Sequence, residues 1–244
     1  MTAHDPASGD VIAAAPAVRL PVQGGGTFPV RRVYCVGRNF AEHAREMGAA
    51  VATSKHERGT PVFFLKPTDA LTLDDDVPYP PGTRDLHHEV ELVVALGLDA
   101  PPGVLSVEDA DALVFGYTVG LDLTRRDLQA AAKSKGLPWD TGKSFDFAAP
   151  VASLVPKRDA GALDKRRLTL RINGELRQHG TFNDLIWTVP EILHELSKLY
   201  ALRAGDLVFM GTPAGVGPLQ PGDAFEAAID GIATRTGRIV ASSN

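Results

Sequence analysis

Apolar positions along the chain follow two rhythms. Short runs and alternations dominate: residues 33–36, 62–65, 87–96, 113–121 and 168–172 each read as a strand bounded by Gly, Pro, Asn or Asp. Asn173-Gly174 stands directly between 168–172 and 175–179, which predicts a two-residue hairpin. Ala204-Gly205-Asp206 and Pro221-Gly222-Asp223 are similar turns, each leading into a strand. The helical rhythm is rarer. Ile192, Leu193, Leu196, Leu199 and Tyr200 recur at helical spacing behind Thr188-Val189-Pro190-Glu191, a capping box. Thr124-Arg125-Arg126-Asp127 has the same form ahead of Leu128, Ala131 and Ala132, and Gly136 with Pro138 ends that helix. Residues 41–47 predict a short helix, 48–60 carry no period and read as a mobile excursion, and 74–85 read as loop. The first 27 residues, rich in Ala, Pro and Gly, predict an N-terminal arm or edge segment ending in the flexible Gly24-Gly25-Gly26. Helices so few and so irregularly placed argue against a doubly wound sheet. The pattern predicts one β-rich α+β domain over 28–244, built on mixed sheets.

Composition narrows the setting. The 244 residues, 44% hydrophobic and 23% charged, suffice for one substantial core. With a net charge of −5 and its basic doublets dispersed among acids, the chain gives no support to binding of nucleic acid or a membrane surface. Cys35 is the single cysteine, set in an apolar run, and it fits a reducing compartment. No stretch approaches the length of a membrane span, and the N-terminus lacks the basic region of a signal peptide, so a cytoplasmic location is expected.

Chemistry enters at Glu89 and Glu91. On a strand, residues two apart share a face, so both carboxylates project to the side of Val93 and Ala95, which apolar character marks as interior. Like charges about 4 Å apart repel by roughly 4 kcal/mol at an effective dielectric near 20. A proton or a cation between them relieves that cost; alternatively the strand end is solvated, and both readings stand on this segment alone. Asp122 ends another apolar strand and could complete a three-carboxylate site, or serve only as a helix-entry residue. All-oxygen ligation without a spaced Cys/His set favours Mg²⁺ or Mn²⁺. His87 shares the carboxylate face, as a further ligand or as a rim residue.

Six segments then occur in an order that carries more information than any one of them: Gly37-Arg38-Asn39-Phe40-Ala41-Glu42-His43, Phe64-Leu65-Lys66-Pro67, His88-Glu89-Val90-Glu91-Leu92, Gly120 to Asp127, Gly142-Lys143-Ser144-Phe145-Asp146 and Gly211-Thr212-Pro213-Ala214-Gly215-Val216-Gly217. Together they resemble the fumarylacetoacetate hydrolase family, in its acylpyruvase and fumarylpyruvate hydrolase branch, over roughly residues 30–240. The resemblance implies a mixed β-sandwich or β-roll with a few peripheral helices, a homodimer, a role in aromatic catabolism, and one Mg²⁺ or Mn²⁺ on Glu89, Glu91 and Asp122. It also implies a mobile lid around 41–60, in which Glu46 orients His43 as a general base, with Lys143 as a third catalytic group. Gln129 matches the family's helical glutamine, and Thr212 lies in a turn lining the substrate pocket. Arg38 and Lys66 are further candidate anion partners, and Arg177 is a candidate for a distal carboxylate.

The implied substrate is a small 2,4-dioxo acid whose carboxylate and 2-oxo oxygens can chelate the metal. Water activated by His43 would attack the distal carbonyl, and carbon–carbon cleavage would release pyruvate plus an acid, the metal and Lys143 stabilising the enolate. The same logic supports an oxaloacetate decarboxylase or an isomerase of an unsaturated dioxo acid. A non-enzymatic metal-binding scaffold is the alternative from a different class.

Overall fold

Strand Val90–Leu96 carries one charged residue, Glu91, and lies in the interior of a six-stranded mixed sheet. In the computed structural model, which describes residue 12 and residues 14–46 and 57–242, the sheet order is Val155–Pro156, Val114–Leu121, Val90–Leu96, Asp206–Phe209, Arg32–Gly37, Val62–Lys66. Neighbours are antiparallel except Asp206–Phe209 with Arg32–Gly37. Strand alternation sorts the side chains between two cores. Leu92, Val94 and Leu96 join Leu168, Leu170, Ala227 and Ile229 of a second sheet, whereas Val93 and Ala95 join Val33, Cys35, Leu207 and Phe209 on the opposite face. Each buried Val, Leu, Ile or Phe among them contributes about 1.5–3 kcal/mol, and a one-residue slip of this strand would move its whole apolar set to the other face.

The second sheet has five strands in the order Glu175–Thr181, Arg167–Ile172, Ala224–Ile229, Ala233–Val240, Asp76–Pro78. Packed on the first, it makes the β-rich sandwich that the strand pattern and the family resemblance imply. Asp76–Pro78 runs through what the sequence reads as loop, because it pairs in parallel with the distant strand Ala233–Val240. Asn173 and Gly174 take φ +52° and +83° and join Ile172 to Glu175, the hairpin expected of them. The second face of the large sheet is closed by a hairpin near the N-terminus, Arg19–Pro21 with Thr27–Pro29, which buries Leu20 and Phe28. Residues 19–27 of the expected arm thus help to seal a core.

Both halves of the capping box at Thr188 and Glu191 form ahead of helix Val189–Ser197. The one expected at Thr124 does not. Helix Arg126–Ser134 starts behind Arg125 with no side-chain cap, and Asp127 accepts instead from Thr83 Oγ1 and the Arg84 N–H. Thr124 is held in the short strand Thr124–Arg125, where its hydroxyl is needed elsewhere. Of the lid expected around 41–60, the structure describes helix Ala41–Glu46 and the stretch from Glu57 onward; residues 47–56 lie outside the described residues. Arg58 ties the far end of that segment to the body, 3.0 and 3.1 Å from the Glu191 carboxylate and stacked 3.9 Å over Trp187. Among the described residues, no helix is long and apolar enough to cross a membrane.

Candidate active site

Glu89 sits where the chain steps from one sheet to another. The preceding strand Leu86–His88 belongs to a small sheet with Thr124–Arg125 and Gly217–Leu219, and the following strand Val90–Leu96 to the large one. Asp122 sits at the matching step on the neighbouring strand, because Val90 pairs with Leu121 and the Asp122 N–H donates to Glu89 O at 2.8 Å. Two adjacent strands therefore leave the large sheet together. Their departure brings Glu89, Glu91 and Asp122 to one point, with one carboxylate oxygen from each within 4.8 Å of the others and each residue at most 5% exposed.

Three cations balance this floor. Lys143 Nζ donates to Glu89 Oε2 at 2.8 Å, Asp122 Oδ2 at 2.5 Å and Thr124 Oγ1 at 2.8 Å. Arg126 Nη2 lies 2.5 Å from Glu89 Oε1, and Lys66 Nζ lies 2.8 Å from Asp122 Oδ1. Burial alone would raise Glu89, but Lys143 and Arg126 outweigh it and hold the carboxyl well below its usual range. Burial would likewise lower Lys143, and Asp122 with Glu89 hold it above its ordinary value instead. Glu91 is different. Burial, Asp122 and Glu89 all push its carboxyl well upward, and among the described residues no basic side chain is ion-paired with it. The Gly211 N–H donates to its Oε2 at 2.7 Å, and Lys143 nearby also favours the charged form. Gly211 holds φ +91°, and a Cβ there would come within 2.8 Å of the Asn39 Cβ, so this close approach requires glycine.

The donor set fits a hard divalent cation. Three converging carboxylates supply oxygen ligands, and Glu91 lacks the positive partner that such an ion would provide. The floor opens into a cleft lined by Arg38, His43, Glu89, Glu91, Asp122, Gln129, Lys143 and Thr212, all singled out in the sequence, together with Arg126, Lys133, Phe64 and Trp139. His43 Nδ1 is 3.2 Å from Glu46 Oε2, and the Glu46 carboxylate accepts from the Gly215 N–H at 3.3 Å, which fixes the dyad against the glycine-rich turn. Asn39, buried behind the cleft, donates to Trp187 O and Met210 O and accepts from the Trp187 N–H, holding the loop in which Arg38 adopts φ +60°.

Several sequence expectations take a different form. Lys66 is 2% exposed, its ammonium held by Asp122, Leu123 O and Lys143 O, so it is a buried counter-ion and not a partner for a substrate anion. The Thr212 hydroxyl donates to Val90 O at 2.8 Å and accepts from Gln178 at 2.8 Å, which leaves it no proton for a substrate oxygen. All three Lys143 protons are committed, so its influence on a ligand is that of a fixed charge. His87 pairs with Asp85 at 2.9 Å on the rim, and Arg177 pairs with Glu175 away from the cleft.

Arg126 and Gln178 have their places only in three dimensions. Gln178, fully buried, accepts at Oε1 from His88 and the Val90 N–H, and donates to Thr212 and Pro213 O, linking the second sheet to the floor. No local pattern marks it. Arg126 had a signal: Arg126, Gln129 and Lys133 follow helical spacing, which separates Arg126 from its neighbour Arg125, stacked 4.4 Å over Phe145.

The family model of the fumarylacetoacetate (FAA) hydrolase C-terminal domain matches residues 32–240. This chain belongs to the fumarylacetoacetate hydrolase family. Among similar members, the human protein named oxaloacetate tautomerase FAHD1, mitochondrial, is 41% identical over 212 residues, 86% of this chain and 91% of that protein. The Dictyostelium discoideum protein named oxaloacetate decarboxylase, mitochondrial, is 37% identical over 84% of this chain and 91% of its own length. A crystal structure of fumarylpyruvate hydrolase from Pseudomonas aeruginosa with Mn²⁺ and pyruvate superposes with a TM-score of 0.88 at 42% identity, covering 96% of this chain and all of that one. Membership of the fumarylacetoacetate hydrolase family makes this chain one of a family of enzymes, and its buried acidic triad is suited to a divalent metal.

Proposed function

We propose that this fumarylacetoacetate hydrolase family member cleaves a 2,4-dioxo acid hydrolytically, giving pyruvate and a carboxylic acid, with Mg²⁺ or Mn²⁺ held by Glu89, Glu91 and Asp122. One observation carries the reading: a buried His43 backed by Glu46 opens on the same cleft as the carboxylate triad. A divalent ion bound there would polarise the 2-oxo group of the substrate and offset the charge of the departing enolate.

The chain's own residues account for the remaining steps. His43, oriented through Nδ1 by Glu46, takes a proton at Nε2 from water, whose oxygen adds to the distal carbonyl. The bond between the third and fourth carbons then breaks, its electron pair passing to the pyruvate fragment as an enolate. The proton held by His43 returns to that carbon, so one water is consumed and atoms balance. Lys143, Lys66 and Arg126 hold Glu89 and Asp122 in place; with Glu91 ionised as a ligand, the three cations would equal the three carboxylates in number, so a divalent ion would leave the floor with two positive charges. That surplus favours an anionic substrate. The Pseudomonas aeruginosa enzyme, which holds Mn²⁺ and pyruvate, supports the same reading.

A second reading is interconversion of the enol and keto forms of oxaloacetate, favoured by the names of the relatives near 41% identity. It needs the same base, which would move a proton between carbon and oxygen without attack by water. Pyruvate release from fumarylpyruvate and acetylpyruvate, measured beside the rate of enol loss from oxaloacetate with Mg²⁺, separates the two. Pyruvate formed from an acylpyruvate, and lost in His43→Ala, supports cleavage; turnover of oxaloacetate alone would overturn it. A scaffold without activity predicts that His43→Ala changes no rate on any substrate.

A further inference from the structure

Helix Arg126–Ser134 presents Arg126, Gln129 and Lys133 to the cleft as one wall. Arg126 is occupied by Glu89 and by Gln129, whose Oε1 accepts from it at 2.7 Å. Lys133 lies seven residues further, ~10 Å along the axis at the helical rise. It is half-buried, its ammonium 4.8 Å from the Trp139 ring, and among the described residues no carboxylate is ion-paired with it. Burial, with Arg126 and Arg38 near it, brings its pKa down to about 8. Arg38 lines the same cleft from an exposed loop, also without an ion-paired acid among the described residues. Neither the acidic triad nor the His43–Glu46 dyad uses these charges. A half-buried ammonium against an aromatic ring, with cations for neighbours, is electrostatically incomplete, and an anion from solution would complete it.

We propose that Lys133, with Arg38 near it, forms a distal carboxylate subsite, so that the cleft selects 2-oxo acids ending in a second carboxylate over those ending in an alkyl group. The inference rests on the 2-oxo acid reading and names the substrate class within it. Lys133 lines the same cleft as the carboxylates about two helical turns beyond Arg126, a placement that suits an acyl arm whose far end is charged. Arg177, on the outer strand and paired with Glu175, is not needed for this role.

The test is binding of two chelating ligands to the Mg²⁺-loaded protein by calorimetry: 2-oxoglutarate, which ends in a carboxylate, and 2-oxovalerate, which ends in a methyl group. Wild type should prefer 2-oxoglutarate by about 10- to 100-fold, the range expected of a charge-assisted contact. Lys133→Gln should bring that ratio to within about threefold of unity, Lys133→Arg should restore most of it, and Arg38→Gln should lower it by a smaller factor. A ratio that survives in Lys133→Gln overturns the subsite. So does a wild type that binds 2-oxovalerate as tightly as 2-oxoglutarate, and this leaves the 2-oxo acid reading intact. A wild type that binds neither ligand overturns both. Retained preference without pyruvate release from fumarylpyruvate keeps the subsite and removes the hydrolase reading.

Discussion

Replacing Glu91 by Gln should stabilise the metal-free protein while removing its response to metal. Glu91 is 2% exposed and shares its floor with two other carboxylates at no more than 4.8 Å between ligand oxygens. At that separation and an effective dielectric near 20, each like-charged neighbour costs about 3.5 kcal/mol. Lys143, bonded to both neighbours, offsets part of this, and burial adds to it. The net penalty is on the order of 1–3 kcal/mol. Glutamine has almost the same shape, its oxygen can still accept from the Gly211 N–H, and its amide can donate to Asp122 or Glu89. The assay is urea denaturation at pH 7.5, with EDTA and again with saturating Mg²⁺. In EDTA the variant should be more stable by about 1–3 kcal/mol, and Mg²⁺ should shift the wild-type midpoint but not that of the variant. The sign of the pH dependence gives a second check: a carboxyl raised on folding contributes stability below the unfolded-state pKa and loses it as pH rises through the folded one. The wild-type advantage of low pH, from about 4.5 upward, should therefore be smaller in Glu91→Gln. A variant less stable than wild type in EDTA, or one that keeps the Mg²⁺ shift, would refute the reasoning.

Two further outcomes follow from the same floor, and a third from the helix wall. Asp122→Asn should have the opposite sign, destabilising the metal-free protein by about 3–5 kcal/mol, because it leaves Lys66 and Lys143 buried with too little negative charge; the same denaturation series checks it. Thr124→Val should cost about 1–2 kcal/mol by removing the acceptor of the third Lys143 proton, with far-ultraviolet dichroism at low denaturant unchanged. Since burial, Arg126 on its own helix and Arg38 bring the Lys133 pKa down to about 8, against the opposing pull of Glu89, any preference for a substrate with a distal carboxylate should be full below that pH and fade above it, read as the ratio of kcat/KM for fumarylpyruvate to that for acetylpyruvate between pH 6.5 and 9.5.

What the chain discloses on its own depends on how far apart the interacting residues lie. Strand alternation around Glu91 is local, so the side of the sheet on which the carboxylate lies could be read directly. The convergence of Glu89 with Asp122 needed the pairing of two strands, and only the ordered motifs stood in for that pairing. Lys66 shows the limit. Its sequence neighbours say nothing of Asp122, and a lysine read alone is a solvated cation, whereas here it is an interior counter-ion. The false capping box at Thr124 has a related cause: a local hydrogen-bonding pattern lost to a distant ammonium that needed the same hydroxyl. Gln178 contributes four hydrogen bonds from a strand that reads as an ordinary hairpin arm.

The turn from Gly211 to Gly217 is grasped at both ends, by Glu91 through the Gly211 N–H and by Glu46 through the Gly215 N–H. That double attachment limits how the enzyme can diversify. On the proposed reading, a change that reshapes the turn to admit a new acyl group would move Glu91, the proposed metal ligand, and Glu46, the proposed partner of the base, together, so it would trade catalysis for scope. The helix wall at Lys133 carries neither burden. With the proposed subsite at Lys133, substrate range could drift along that wall over evolutionary time while the reaction itself is left alone.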